Sequence, residues 1–385
     1  MLLVLLALAA AQYLRPIPAV QPRLLLPASS RVAGAAPPLP WPGTGWAAIG
    51  AVGLGVVATS GPEKPQPIAS VAKVMTALVL LDSKPLAAGQ QGPSVTVTAL
   101  DVSDYAAKRD QGQSVVAVAA GEQLTEYQLL QGLLIPSGNN IADLIARWVS
   151  GSIPAFVERM NARAKSLDLK STTFVDTSGF DPKTVSTPTD LVRLGSVAIL
   201  DAVIADVVSQ PQAELPVAGI AYNVDYAVGQ GGIAGIKTGS SPQAGACFLF
   251  SSPQRGYTLV GAVMGMGSLD DAFAATKALI KAAAAAIQVT AVASKDQPVG
   301  RYEAPWGSRT DIIATDQLLL VEWPGLLVRT RLEAPAAKAP LPPGSAAGAL
   351  LVTLGEQQVR LPLVTADPLF QPGNRWRFLR TDPFF

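Results

Sequence analysis

The stretch Pro67-Ile68-Ala69-Ser70-Val71-Ala72-Lys73-Val74-Met75-Thr76-Ala77 constrains this chain more than any other. A proline, then a serine, then an apolar run marks a helix start. Val71, Val74, Met75, Leu78, Val79 and Leu81 make the helix apolar nearly all round, and such a helix is buried. Any fold that hides it must bring other elements over every face. Ser70 and Lys73 are three residues apart and share one face. A lysine there loses hydration, its charged form is disfavoured and its pKa falls. A neutral amine beside a hydroxyl is a base beside a nucleophile. Alone, S-x-x-K is a common pattern, and an exposed lysine near a helix start explains it as well.

At 385 residues the chain has room for two domains with real cores. Only 15% of residues are charged against 49% apolar, which argues against wholesale disorder. The net charge of +1 gives no case for nucleic acid as a partner. There are no histidines, which excludes a Ser-His-Asp or Cys-His device and argues against a zinc site. The single cysteine, Cys247, lies in the strand-like run Ala246 to Phe250 and reads as a packing residue.

The elements read as follows. Trp46 to Val52 and Gly55 to Thr59 are two strands joined by a Gly-containing turn. Ser94 to Thr98 and Ser114 to Ala119 read as strands. Glu126 to Leu134, Ile141 to Val149, Ile153 to Leu167, Leu191 to Ile199 and Leu269 to Ile287 read as helices. Ile233 to Lys237, Cys247 to Ser251 and Thr258 to Met264 are strands. Strands flanking a helical insert give an α/β domain with an antiparallel sheet, assigned to residues 43–288. Short strands punctuated by Pro and Gly give a small C-terminal β-sandwich domain, residues 289–370. Residues 1–42 are expected to be a signal or anchor segment followed by a Pro/Ala-rich linker, and 371–385 a tail. The apolar run Met1 to Ala11, ending Ala9-Ala10-Ala11, predicts export and an extracytoplasmic location, with membrane contact open to the N-terminus. The basic segment that usually precedes such a run is missing.

Three polar groups fall at element edges: Ser70 with Lys73, Ser137-Gly138-Asn139 between two helices, and Lys237-Thr238-Gly239 at a strand end. Each tripeptide has an ordinary reading, a capping loop or a solvated strand end. In this order they supply the parts of an acyl transfer. Ser70 attacks an acyl carbonyl and Lys73 takes its proton. Ser137 relays a proton to the leaving amine, while Asn139 binds a substrate amide and orients Lys73. Lys237 supplies positive charge, Thr238 bonds a carboxylate, and Gly239 lets the strand edge approach. The N–H groups of Ser70 and Ser240 face the oxyanion.

On these motifs the sequence resembles the low-molecular-mass penicillin-binding proteins, specifically the serine D-alanyl-D-alanine carboxypeptidases. Pro67 to Ala77 is similar to the family's P-x-A-S-x-T-K-x-M-T-A, with Ala72 where threonine is usual. Leu133 to Asn140 resembles L-L-x-P-S-G-N-D/N, and Gly235 to Gly245 resembles G-x-K-T-G-x-T-x-x-A-G. The resemblance implies removal of the terminal D-Ala from peptidoglycan stem peptides through a Ser70 acyl-enzyme, trapping by β-lactams, and no cofactor or metal. Two stretches depart from it. Ser186-Thr187-Pro188-Thr189-Asp190 stands for S-T-A-R-D, and Thr258 stands where an arginine commonly opens a strand and helps hold the substrate carboxylate. Thr238 and Lys237 are then expected to hold that carboxylate, with Arg255 as a second candidate. A DD-endopeptidase and a weakly active penicillin-binding sensor or scaffold remain as alternatives. A class A β-lactamase is disfavoured because no E-x-x-L-N stretch lies between Asn139 and Lys237.

Overall fold

The computed structural model describes residues 2–380. The chain divides into two compact units, one from Pro37 to Ile287 and one combining the residues up to Ala36 with those from Gln288 onward.

The first unit is built on five antiparallel strands: β1 (Trp46–Ala51), β2 (Gly55–Ser60), β3 (Ile236–Ser241), β4 (Gly245–Gln254) and β5 (Tyr257–Met266), in the order β3-β4-β5-β1-β2. Between β2 and β3 the chain makes a helical insert that includes α1 (Lys73–Ser83), α2 (Glu126–Leu134), α3 (Asn139–Ser150) and α4 (Pro188–Ala198). The long helix α5 (Leu269–Ala286) follows β5. β1, β4 and β5 read as apolar runs rather than alternations because helices cover both faces of the sheet. Gly195 of α4 allows the close approach: a Cβ there would stand 2.8 Å from Leu249 Cδ1. Every residue of α1 from Lys73 to Leu81 is buried. Burying a leucine or methionine such as Leu80 or Met75 contributes about 1.5–3 kcal/mol, so α1 is the axis of this core.

Local chemistry fixes the helix ends around the site. Thr125 and Gln128 form a reciprocal cap at α2, and Thr187 caps α4 through Asp190 N–H. The S-T-P-T-D stretch is therefore a helix start, with Asp190 also accepting from Ser171 N–H and Thr172 Oγ1. α3 ends at Gly151, whose φ of +74° is the left-handed cap that glycine permits.

Two local readings differ from expectation, and one helix carries no earlier reading. Ser70 does not open an α-helix. It sits in a 3₁₀ turn, Ala69–Ala72, before α1 begins at Lys73. The tighter turn eclipses positions three apart and aligns Ser70 with Lys73. Residues 114–119 form no strand. The Asn140 side chain takes a strand's place there, accepting from Val116 N–H at 2.9 Å and donating to Val116 O at 2.9 Å. The helix Ala99–Asp110 carries no clear apolar period. It is held by the Thr98–Asp101 cap and by ion pairs, Arg147–Asp101 at 2.7 Å and Lys108–Asp143 at 2.6 Å.

The second unit centres on a seven-stranded antiparallel sheet. Its two outermost strands come from the segment read as a linker: Pro22–Leu24 pairs with Pro298–Glu303, and Ser29–Arg31 pairs with Leu327–Glu333. Residues 22–31 are thus part of the β unit. Three-residue strands joined to an edge by backbone bonds leave no period to read, and their presence covers otherwise open edges. The segment expected as a tail has structure of its own. Its helix Asn374–Leu379 lies against the helix Leu2–Leu14, with Tyr13 Oη donating to Asn374 Oδ1 at 3.1 Å and Arg380 Nη1 to Pro16 O at 2.9 Å. Positions 381–385 of that tail lie outside the described residues. Among the described residues, no helix is long and apolar enough to cross a membrane.

Candidate active site

The 3₁₀ turn that carries Ser70 is held under strain. Ala69, its first residue, has φ +45°, a conformation that costs a non-glycine residue free energy and persists only when its neighbours impose it. Gly179 is one such neighbour, since a side chain there would overlap the Ala69 carbonyl. Gly239 of β3 is the other. A Cβ on it would stand 2.7 Å from Ile68 O and 2.9 Å from Ser70 N. The glycine of K-T-G is therefore required by the contact between β3 and the serine turn.

Lys73 is fully buried. Its Nζ lies 2.8 Å from Ser70 Oγ, 2.6 Å from Asn139 Oδ1 and 3.2 Å from Ser178 O. Burial pushes its pKa well below the usual lysine value, and the charge of Lys237 pushes it further. Asp176 and Asp143 pull partly back. A neutral amine has two N–H donors and one lone pair. Asn139 Oδ1 and Ser178 O are acceptors only, so they take both donors. In that neutral form the remaining position on nitrogen, the lone pair, is the one that faces Ser70 Oγ at 2.8 Å.

Asn139 and Ser137 are set by the start of α3. Gly138 separates them because a Cβ there would meet Val116 Cγ2 at 2.8 Å and Gly132 O at 2.9 Å. Asn139 N–H donates to Ser114 O at 2.8 Å, which ties the loop before residue 116 to the site. Ser137 has φ +67°, is 3% exposed, and its Oγ has no hydrogen-bond partner. A buried hydroxyl without a partner is costly, which marks it as a group awaiting one.

Lys237 is buried, with Nζ donating to Thr238 O at 3.2 Å. Burial lowers its pKa to about 8 while the charge of Asp225 opposes the shift. Asp225 is 3% exposed, and burial raises its carboxyl to about 6 against the Ala227 N–H and the Lys237 charge. Thr238 Oγ1 is buried and unpartnered.

A cavity of about 500 Å³ opens over these groups. Ser70, Asn139 and Ser240 line it, Lys73 touches Ser70 and Asn139, and Ser137, Lys237 and Thr238 are buried and do not line it. Gln113, Gly179 and the exposed Phe180 also line it. None of these three was singled out by the sequence, nor were Ser178 and Asp225, because they belong to loops without a motif of their own. Cys247 is buried in β4 with its thiol pushed up to about 11, as befits a packing residue.

The strand position given to the carboxylate arginine does not reach this cavity. Lys237 pairs with Leu249, Leu249 with Ala262, and Thr258 with Pro253 at the hairpin end. Thr258 is four residues along β5 from the level of Lys237, about 13 Å at the rise of a strand. Arg255 lies in the turn beyond. Neither lines the cavity, so the position where the arginine was expected lies away from Lys237 and Thr238, the groups expected to hold the carboxylate.

The family model described as D-alanyl-D-alanine carboxypeptidase matches residues 48–268. A D-alanyl-D-alanine carboxypeptidase of Streptomyces sp. (strain K15) is 30% identical over 217 residues, 52% of this chain and 72% of that protein. The D-alanyl-D-alanine carboxypeptidase DacB2 of Mycobacterium tuberculosis is 34% identical over 205 residues, 51% of this chain and 66% of that protein. A D-alanyl-D-alanine endopeptidase of Pseudomonas aeruginosa is 34% identical over 139 residues, 36% of this chain and 42% of that protein. Among solved structures, penicillin binding protein 5 from Haemophilus influenzae superposes with a TM-score of 0.66 at 20% identity, covering 88% of this chain and all of that one. The Streptomyces K15 DD-transpeptidase gives 0.57 at 26% identity, with 66% and 100% covered. With the serine, the buried lysine and the third motif meeting at one cavity inside the matched region, the chain belongs to the D-alanyl-D-alanine carboxypeptidase family of serine peptidases.

Proposed function

We propose that this protein removes the terminal D-Ala from peptidoglycan stem peptides through an acyl-enzyme on Ser70, outside the cytoplasmic membrane, and that β-lactams acylate the same serine. The observation that carries the reading is the fully buried Lys73 amine, held by two acceptors, Asn139 Oδ1 and Ser178 O, within 2.8 Å of Ser70 Oγ. In this reading Ser70 Oγ attacks the carbonyl carbon of the penultimate D-Ala and its proton passes to Lys73. The N–H groups of Ser70 and Ser240 stabilise the oxyanion. The tetrahedral intermediate then expels the terminal D-Ala, whose amine takes a proton relayed through Ser137. Water cleaves the ester with Lys73 again as base and restores Ser70. Asn139 meets a substrate amide at the cavity wall. Lys237 and Thr238 draw the terminal carboxylate, and the unpartnered Thr238 Oγ1 supports that role. No step calls for a metal or cofactor. Contact of the N-terminal segment with a membrane belongs to the same proposal.

The DD-endopeptidase reading is favoured by one observation: relatives with that name match the chain at similar identity. The test measures D-Ala release from a pentapeptide and monomer release from a crosslinked dimer. D-Ala release at the higher kcat/KM supports the proposal. Cleavage of the dimer alone would replace it with the endopeptidase, and labelling without turnover on either would leave a penicillin-binding scaffold.

A further inference from the structure

The lone pair of Lys73 faces Ser70 only while Asn139 presents its oxygen, not its NH₂, to the amine. If that amide were reversed, its NH₂ would donate to the lone pair. Lys73 would then have to donate to Ser70 and could not accept its proton. The three motifs do not determine which way the amide points.

The loop before residue 116 does. Asn139 Nδ2 donates to Gln113 Oε1 at 2.6 Å, and Gln113 Nε2 donates to Gln111 Oε1 at 2.7 Å. The direction is continuous from Gln113 through Asn139 to Lys73, and each amide oxygen in it accepts from the next group's N–H. The loop is fixed at both ends. Gln113 N–H donates to Lys108 O at 3.0 Å, Ser114 O accepts from Asn139 N–H at 2.8 Å, and Val116 is clasped by Asn140. Gln113 itself is half-buried at the cavity wall, so its side chain adds little to the core.

We propose that Gln113 is a positioning residue outside the three motifs, which fixes the amide of Asn139 and so keeps the Lys73 lone pair turned to Ser70. The proposal rests on the reading of Ser70 as nucleophile. The charged groups that act on Lys73 are Lys237, Asp176 and Asp143, and none is altered by changes at 113.

The test compares Gln113→Met, Gln113→Glu and Gln113→Lys with the wild type, each checked for an unchanged thermal transition. Acylation by a fluorescent penicillin is followed from pH 6 to 10, and the Lys73 titration is read directly by NMR of lysine Cε. Met offers no acceptor. Loss of one hydrogen-bond preference should slow acylation about tenfold and move the Lys73 titration down, since a reversed Asn139 stabilises the neutral amine. Glu is acceptor-only and keeps the amide in place. It should acylate faster than Met at high pH, and its negative charge should move the Lys73 titration and the acid limb up. Lys offers only donors and should be slower than Met at every pH. Equal rates and an unmoved Lys73 titration in all three variants would overturn the proposal. A change in apparent penicillin affinity with Lys73 unmoved would also do so, because it would make Gln113 a ligand contact. Persistent labelling of Ser70→Ala would remove Ser70 as the nucleophile. The Lys73 titration would still report on Gln113, so the two failures are distinguishable.

Discussion

Replacing Asp225 by asparagine should make the protein more stable near neutral pH and less active there. Asp225 is buried, one carboxylate oxygen accepts from Ala227 N–H at 3.2 Å, and the other has no partner. Its carboxyl is raised from 3.8 to about 6. A group whose folded pKa lies above its unfolded value contributes stability that is full below the unfolded pKa. That stability is lost as pH rises through the folded one. A rise of this size corresponds to about 3 kcal/mol, so the native state loses roughly that much between pH 4 and 7. The asparagine variant has no proton to lose at this position, and its advantage should grow over the same window, reduced by the lost attraction to Lys237. The second effect is chemical. Lys237, at about 8 with Asp225 supporting its charge, should titrate lower without it. The basic limb of kcat/KM for a free-carboxylate peptide should move to lower pH. Urea unfolding at pH 4.5, 6 and 7.5 together with the pH profile checks both. Parallel stability curves for the two proteins, with an unshifted basic limb, would refute the reasoning.

Further outcomes follow from the same geometry. Lys73→Arg keeps a charge but supplies no base at working pH, so β-lactam acylation should fall by several orders of magnitude with Ser70 intact, and near-normal acylation would reduce Lys73 to a charge. Gly239→Ala should slow acylation about 100-fold or more, because its Cβ meets Ile68 O and Ser70 N and a misplaced site of this kind commonly loses that factor; stopped-flow acylation reads it. Asn140→Leu leaves buried Val116 N–H and O without partners, at about 1–3 kcal/mol for each group, which denaturant unfolding measures.

The site was legible where chemistry and local sequence coincide. Ser70, Asn139 and Ser240 line one cavity, Lys73 touches Ser70 and Asn139, and Gly239 packs on Ser70 N, because each motif sits at an element end that the apolar pattern itself marks. Helices with a clear apolar stripe, such as α2 and α3, were readable to within two or three residues. Gln113, Ser178 and Asp225 were not, since loop groups acquire their roles only from what folding brings beside them. The helix Ala99–Asp110 has only Val102 and Tyr105 packed against the core and is otherwise held by ion pairs, so its apolar period is too sparse to read. Thr258 was misplaced because a position in a strand gives no distance until the register is known. The edge strands of residues 22–31 escaped because their stability lies in backbone bonds to partners roughly 300 residues away.

The central claim is that Ser70 is the acylated nucleophile with Lys73 as its base. The most direct measurement is intact mass and peptide mapping of the protein after reaction with a penicillin, in the wild type and in Ser70→Ala. One adduct, carried by the peptide containing Ser70 and absent from the alanine variant at an unchanged thermal transition, is the predicted result. An adduct on any other residue, Ser137 included, or one that survives in Ser70→Ala, would contradict it.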